Sequence, residues 1–163
     1  MSVTNPDTKN AILKNFEDLE ISKTGMIKTA NRRGYMVTDL DFPTQKFIEF
    51  AKSLESPVLE IGCAYGFVTH LLLNENVKVI ANDIDKTHLD SILRHTPAHL
   101  NHLLKTVQGF FPADLDFPDH SLGCVLASRV CHFLTGDQLE EGFKNLSMAQ
   151  AGWKIIYSFR NAL

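Results

Sequence analysis

Val58-Leu59-Glu60-Ile61-Gly62-Cys63-Ala64-Tyr65-Gly66 reads as a buried strand, a glycine-bearing turn and the start of a helix. Apolar residues at 57 to 59 and at 61 frame a single acid, Glu60, at the carboxyl end of that strand. Gly62 and Gly66 follow four residues apart, and the apolar run Phe67-Val68-Thr69-His70-Leu71-Leu72-Leu73 opens the next helix. In open α/β sheets ligands bind beyond the carboxyl ends of the strands, where the strand order reverses. Glycine there lets backbone approach a ligand, and the free amides that open the helix favour a carboxylate or phosphate.

Downstream, Val77–Ala81 is a short strand of β-branched character that closes on Asn82-Asp83-Ile84-Asp85. Asp83 follows Glu60 by 23 residues, close to the spacing of about 20 at which an acid meets ribose hydroxyls in nucleotide-binding α/β folds. A carboxylate accepts hydrogen bonds from two vicinal hydroxyls, which suits it better than solitary burial. Asp85 is placed to cap the helix that begins at Lys86, whose inward residues are read as Leu89, Ile92 and Leu93. His95, His99 and His102 raise the question of a metal. Pro97 interrupts them and no Cys, Asp or Glu ligand stands nearby, so they are read as surface histidines and no metal is expected. A third strand is expected at Lys105–Gly109, a fourth ending at Ser128 and a fifth over Trp153–Phe159, with an amphipathic helix at 136–150 before the last.

Upstream, residues 7–20 carry Ala11, Ile12, Phe16 and Leu19 at helical spacing. Residues 21–41 are undecided, and Asp41-Phe42-Pro43-Thr44 starts another helix. The chain of 163 residues is expected to be one domain, with residues 1–55 a helical cap and 56–163 the core. A net charge of −3 and the lack of a long basic run disfavour nucleic acid as a partner. Cys63, Cys124 and Cys131 show no C-x-x-C spacing and argue for a reducing compartment. The polar first residues show no signal peptide, and no apolar run nears the roughly 20 residues that span a bilayer. A cytoplasmic protein without a membrane partner is the expectation.

The turn at Val58–Gly66 resembles the first motif of class I S-adenosylmethionine-dependent methyltransferases, acid-x-Gly-x-Gly-x-Gly, with Ala64 at the middle glycine. The resemblance extends over residues 56 to 159. It implies a three-layer α-β-α sandwich with a mostly parallel, Rossmann-like sheet, and S-adenosylmethionine as cofactor. Residue by residue, it implies that Glu60 holds the methionine end, that Gly62, Cys63, Ala64 and Gly66 supply backbone contact, and that Asp83, with Ile84 beside it, meets the ribose. Phe110 or Phe111 would flank adenine where the family often has an acid, with Asp114 as an alternative acceptor. Tyr35 and Met36 are candidates from the segment that in the family often folds over the cofactor. Ser128 and His132 would face the methyl group, His132 as general base.

Three departures stand out. Gly123 replaces a usual aspartate, only Gly152 remains of a Leu-x-Pro-Gly-Gly turn, and the chain stops before the family's C-terminal β-hairpin. The fifth strand would then offer an open edge through which a homodimer could form. No Asn/Asp-Pro-Pro-Tyr/Phe follows the fourth strand, which speaks against the amino-methylating DNA enzymes. The resulting expectation is a methyltransferase acting on a small-molecule acceptor. A non-catalytic methyltransferase-like interaction module is the alternative. A dinucleotide fingerprint would need glycines where Ala64 and Phe67 stand, and an ordinary tight turn without a ligand is the other alternative to the cofactor reading.

Overall fold

The computed structural model describes residues 5–149 and the backbone of a strand at Ile155–Ser158. Helix α1 (Pro6–Lys14) starts where the Asn5 side chain accepts the Asp7 N–H, with proline in the first turn. It ends earlier than its periodicity predicts, and turns carry Phe16 into the core. The undecided stretch forms an antiparallel hairpin of β1 (Ile27–Lys28) and β2 (Tyr35–Met36). Asp41 then accepts the Thr44 N–H at 3.0 Å and opens α2 (Phe42–Ala51), as its sequence predicts.

The central strand β3 (Val58–Ile61) leads through the glycine turn into α3 (Phe67–Asn74). Strand β4 spans Val79–Asp83, two residues later than expected. The reason is the end of α3: Asn76 adopts φ +60°, and the amides of Asn76 and Val77 return to the carbonyls of Leu73 and Leu72. That paired cap consumes the residues expected to begin the strand. Next come α4 (Lys86–His95), a 3-10 turn at Ala98–Leu103, and β5 (Leu104–Gln108). The chain then passes through β6 (Cys124–Ser128), a short 3-10 turn at Cys131–Phe133, α5 (Gly136–Ala149) and β7 (Ile155–Ser158).

The sheet is parallel throughout, in the order β5-β4-β3-β6-β7. From β3 the chain adds β4 and β5 to one side and then crosses to β6 on the other, so the order reverses beside β3 and opens a crevice there. Strand alternation divides the core. Val58, Val79, Cys124 and Leu126 face the side of α1, α2 and α3, where Phe47, Ile48, Leu71 and Leu72 lie buried. Ala81, on that same face of β4, meets Leu89 and Ile92 of α4. Leu59, Ile61, Ile80, Val125 and Ala127 face the opposite side and pack with Phe111, Leu115 and Leu146. Three layers result, as expected.

Three expectations need correction. The segment before residue 56 is not a purely helical cap: it contains the hairpin, and Ile12, Phe16, Ile27 and Met36 share one core with the sheet. Leu93 is exposed, because α4 turns His88, Leu89, Ser91 and Ile92 inward and leaves position 93 off that face. Phe111 belongs to the core, as described below. At Gly123, where the usual aspartate is absent, the backbone N–H bonds Pro57 O at 2.8 Å, and a Cβ would meet Leu54 at 2.9 Å and Ser56 O at 3.1 Å. Trp153, Gly152, Phe159 and residues 160–163 of the expected final segment lie outside the described residues. No helix among the described residues is long and apolar enough to cross a membrane.

Candidate cofactor-binding site

Two carboxylates stand on one face of the sheet at the carboxyl ends of its central strands. Glu60 pairs with Ala81 across β3 and β4, so Asp83 lies two residues further along the same face. Both are buried. Glu60 accepts the Thr69 hydroxyl from α3 at 2.6 Å. Burial pushes its carboxyl from an ordinary 4.5 up to about 7; the Thr69 bond opposes that rise and the Asp83 charge adds to it. Asp83 differs. Burial pushes it up too, but contact with His88 and the N–H groups of Asp85 and Ala64 outweigh burial and hold it below the usual carboxylate range.

The turn between the carboxylates is built on left-handed backbone: Gly62 at φ +67°, Ala64 at φ +48° and Gly66 at φ +81°. Glycine suits the outer two positions for a second reason. A Cβ on Gly66 would lie 2.5 Å from Ile92 Cγ1, and one on Gly62 would lie 2.4 Å from Val130 Cγ2. The close approach at Gly62 is therefore made by the chain's own Val130, not only by a ligand. Ala64 bears the conformational cost of a side chain in this region, and its N–H donates to Asp83 Oδ2 at 2.9 Å.

The family follows from comparison. The model of the methyltransferase domain matches residues 58–149, more than half of the chain. The chain belongs to the methyltransferase-domain family. Ribosomal RNA small subunit methyltransferase A of Mycoplasma mobile is 31% identical over 101 residues, covering 62% of this chain and 38% of that protein. An S-adenosylmethionine-dependent methyltransferase from Mesorhizobium loti superposes with a TM-score of 0.57 at 13% identity, covering 71% of this chain and 52% of the other. The glycopeptide N-methyltransferase MtfA does so with a TM-score of 0.57 at 24% identity, covering 72% and 54%. These likenesses establish the fold. The chain spans 38% of the curated relative and about half of the solved ones.

Within the methyltransferase domain the expected residues separate into two groups. Glu60, Asp83, the backbone of Gly62–Gly66, Ile84 and Ser128 all gather at the crevice end of the sheet. Ile84 is 39% exposed directly after Asp83, with its carbonyl accepting from Gln108 Nε2 at 3.2 Å. Ser128 ends β6 on the face shared by Glu60. Phe110 is half-buried beyond β5, and its N–H donates to Asp114 Oδ2 at 2.9 Å. Asp114 thus caps the turn with one oxygen. His132 is exposed, its ring 3.9 Å from that of Phe133.

The second group turns away from the crevice. Cys63 packs its thiol with Ala81, Leu89 and Ile92. Burial first, and then the charges of Glu60 and Asp83, push its pKa well above the ordinary value, so it is an inert packing group. Only its backbone is available to a ligand. Phe111 is 5% exposed on the α5 side of the sheet, and a Cβ on Gly142 would lie 2.3 Å from its Cζ. Its ring fills the core and does not stack on a ligand, because burial of that apolar area outweighs an exposed stacking position. Met36 is likewise in the core, whereas Tyr35 is 48% exposed.

Sequence reasoning missed the residues that hold the site from behind. Asn82 is buried on the opposite face and donates through Nδ2 to the carbonyls of Val107 and Gly109, both at 3.0 Å, fixing the end of β5 to β4. Thr69 and His88 bear on the two carboxylates from α3 and α4. The signal for His88 was present: with Leu89 and Ile92 it occupies the inward stripe of an amphipathic helix. Among the described residues no group of three or more His, Cys, Asp or Glu is arranged to hold a metal.

Proposed function

We propose that this chain binds S-adenosylmethionine across the ends of β3 and β4 and transfers its methyl group to a small-molecule acceptor. Glu60 carries the reading. It is a buried carboxylate with a pKa near 7, and among the described residues it has no cationic partner. A cationic ligand suits such a group, because opposite charge favours the ionised form. A dinucleotide pyrophosphate does not, since it would bring negative charge to the turn beside it.

When bound, S-adenosylmethionine supplies a sulfonium-borne methyl as the electrophile. Glu60 balances the positive charge of the methionine end, and Asp83 accepts from the ribose hydroxyls. The backbone of Gly62, Ala64 and Gly66 keeps the turn close to the ligand, while Ile84 and Phe110 offer apolar surface beside β5. Ser128 and His132 stand at the methyl end. Orientation and exclusion of water supply much of the acceleration in such a transfer, so a catalytic dyad is not required. The net charge of −3 disfavours a nucleic-acid acceptor, and Ser128-Arg129-Val130-Cys131 at the end of β6 stands where amino-methylating DNA enzymes carry Asn/Asp-Pro-Pro-Tyr/Phe, so a small acceptor is favoured. The ribosomal RNA methyltransferase relative supports RNA as a second reading.

Calorimetric titration with S-adenosylmethionine, with NADH as control, tests the cofactor. Saturable binding of the former alone is expected, and NADH binding in its place would refute the reading. Transfer of labelled methyl into a small-molecule fraction or into RNA then separates the two acceptor classes. Asp83→Ala should weaken cofactor binding by about 1.5–3 kcal/mol, the scale of hydrogen bonds to a charged group; unchanged affinity removes Asp83 from the site. His132→Ala should slow turnover with cofactor affinity little changed, and an unaltered rate excludes it as the base.

A further inference from the structure

The carboxylate of Asp83 is nearly fully engaged before any ligand arrives. Oδ2 accepts from Ala64 N–H at 2.9 Å, and Oδ1 accepts from Asp85 N–H at 2.9 Å. His88 Nδ1 lies 3.0 Å from that same Oδ1 and has no other polar partner among the described residues, though the contact is not aligned as a full hydrogen bond. A carboxylate offers about four acceptor positions, so little remains for a ribose, and where His88 stands decides how much.

The position of His88 is set from elsewhere. Its ring is 1% exposed, in the first turn of α4, and meets Tyr65 of the glycine turn edge-on with centroids 4.7 Å apart. Its other nitrogen, Nε2, accepts the backbone N–H of Ala30 at 2.9 Å. Ala30 lies between β1 and β2, 58 residues before His88 in the chain. A neutral imidazole carries one proton, and an Nε2 that accepts leaves that proton on Nδ1, the nitrogen facing Asp83. The hairpin therefore selects the tautomer and the ring angle that Asp83 meets.

We propose that His88 is a positioning residue through which the N-terminal hairpin sets the ability of Asp83 to hold a cofactor's ribose. This rests on the proposed cofactor reading and extends it to a segment outside the residues matched by the family model. Docking of the hairpin onto Nε2 fixes the imidazole, the imidazole fixes Oδ1, and the remaining acceptor position is aimed at the crevice. Linkage is reciprocal: if the hairpin affects ligand affinity through His88, ligand affects the hairpin to the same degree.

The test uses S-adenosylhomocysteine and its 2′,3′-dideoxy analogue, titrated by calorimetry into the whole chain, into Asp83→Asn, into His88→Phe and into the double variant. Phenylalanine keeps a ring against Tyr65 and removes both nitrogens. His88→Phe is expected to weaken S-adenosylhomocysteine about tenfold, within the usual range of coupling, to leave the dideoxy analogue unchanged, and to add little to Asp83→Asn. Equal weakening of both ligands means a general packing role and overturns the proposal, as does no weakening at all. Amide exchange at Ala30 in the unaltered protein gives an independent measurement: S-adenosylhomocysteine should slow it, and an unchanged rate in the saturated protein overturns the coupling. Failure of the unaltered protein to bind either ligand would instead overturn the cofactor reading, and this proposal with it.

Discussion

Glu60→Gln should raise stability at pH 8 by on the order of 2–3 kcal/mol and leave it nearly unchanged at pH 4.5. Glu60 titrates near 7 in the fold and near 4.5 when unfolded. The folded state therefore holds its proton while the unfolded state has lost it, and stability falls as pH rises between those values. A difference of that size corresponds to about 3 kcal/mol, fully expressed above pH 7. Glutamine keeps a polar group for Thr69 and removes the charge.

His70 makes the result sharper. It is buried on α3, its Nε2 has no hydrogen-bond partner among the described residues, and burial, aided by nearby His95, lowers its pKa from 6.5 to about 4. Here the unfolded state binds the extra proton, so stability falls as pH drops through that window. Between pH 4.5 and 6.5 the two slopes are opposite and of similar size, and in the native chain they cancel. Glu60→Gln should unmask the His70 slope, a loss of about 2 kcal/mol on acidification from pH 6.5 to 4.5. Urea unfolding across that range measures it. A variant whose stability parallels the native chain at every pH would show that Glu60 is not a buried acid of raised pKa. The same variant should bind S-adenosylhomocysteine about tenfold or more weakly, on the scale of a lost charged hydrogen bond.

Gly62→Ala should destabilise the fold by about 3 kcal/mol. Left-handed backbone costs an ordinary residue roughly 1–2 kcal/mol, and forcing a methyl into occupied space adds about 1–3 kcal/mol. The occupied space is that of Val130 Cγ2, 2.4 Å from the new Cβ. Only the steric part depends on Val130. Pairing Gly62→Ala with Val130→Ala should therefore recover at least about 1 kcal/mol relative to the sum of the single effects. Strict additivity would show that Val130 does not press on the turn. The sequence implied a glycine that lets backbone approach a ligand. The structure adds a packing role, so loss of binding in any Gly62 variant has to be read against its stability.

The strand-turn-helix at 58–66 and the acid at 83 were legible because they are local. A buried strand is a run of apolar residues, a left-handed turn calls for glycine, and a crossover of ordinary length sets the spacing between the two acids. Asp41 and Asp85 were legible as helix caps for the same reason. Phe111 was ambiguous, since an aromatic after a strand can stack on a ligand or fill a core, and only the position of Gly142 on α5 decides between them. The hairpin at 27–36 was not legible, because its strands are two residues each and show no periodicity.

By itself the sequence determined the helices and strands from residue 42 onward and the two acids at strand ends, through hydrophobic period, glycine and short-range spacing. The doubly covered parallel sheet was implied by the resemblance to the methyltransferases. Tertiary structure alone decided what those carboxylates are. Thr69, His88, Ala30 and Val130 reach Glu60, Asp83 and the turn from separate elements, and no periodicity records which side chains meet. Their burial, hydrogen bonds and mutual charge raise one acid and lower the other, because a pKa depends on what surrounds a group in space and not on its neighbours along the chain.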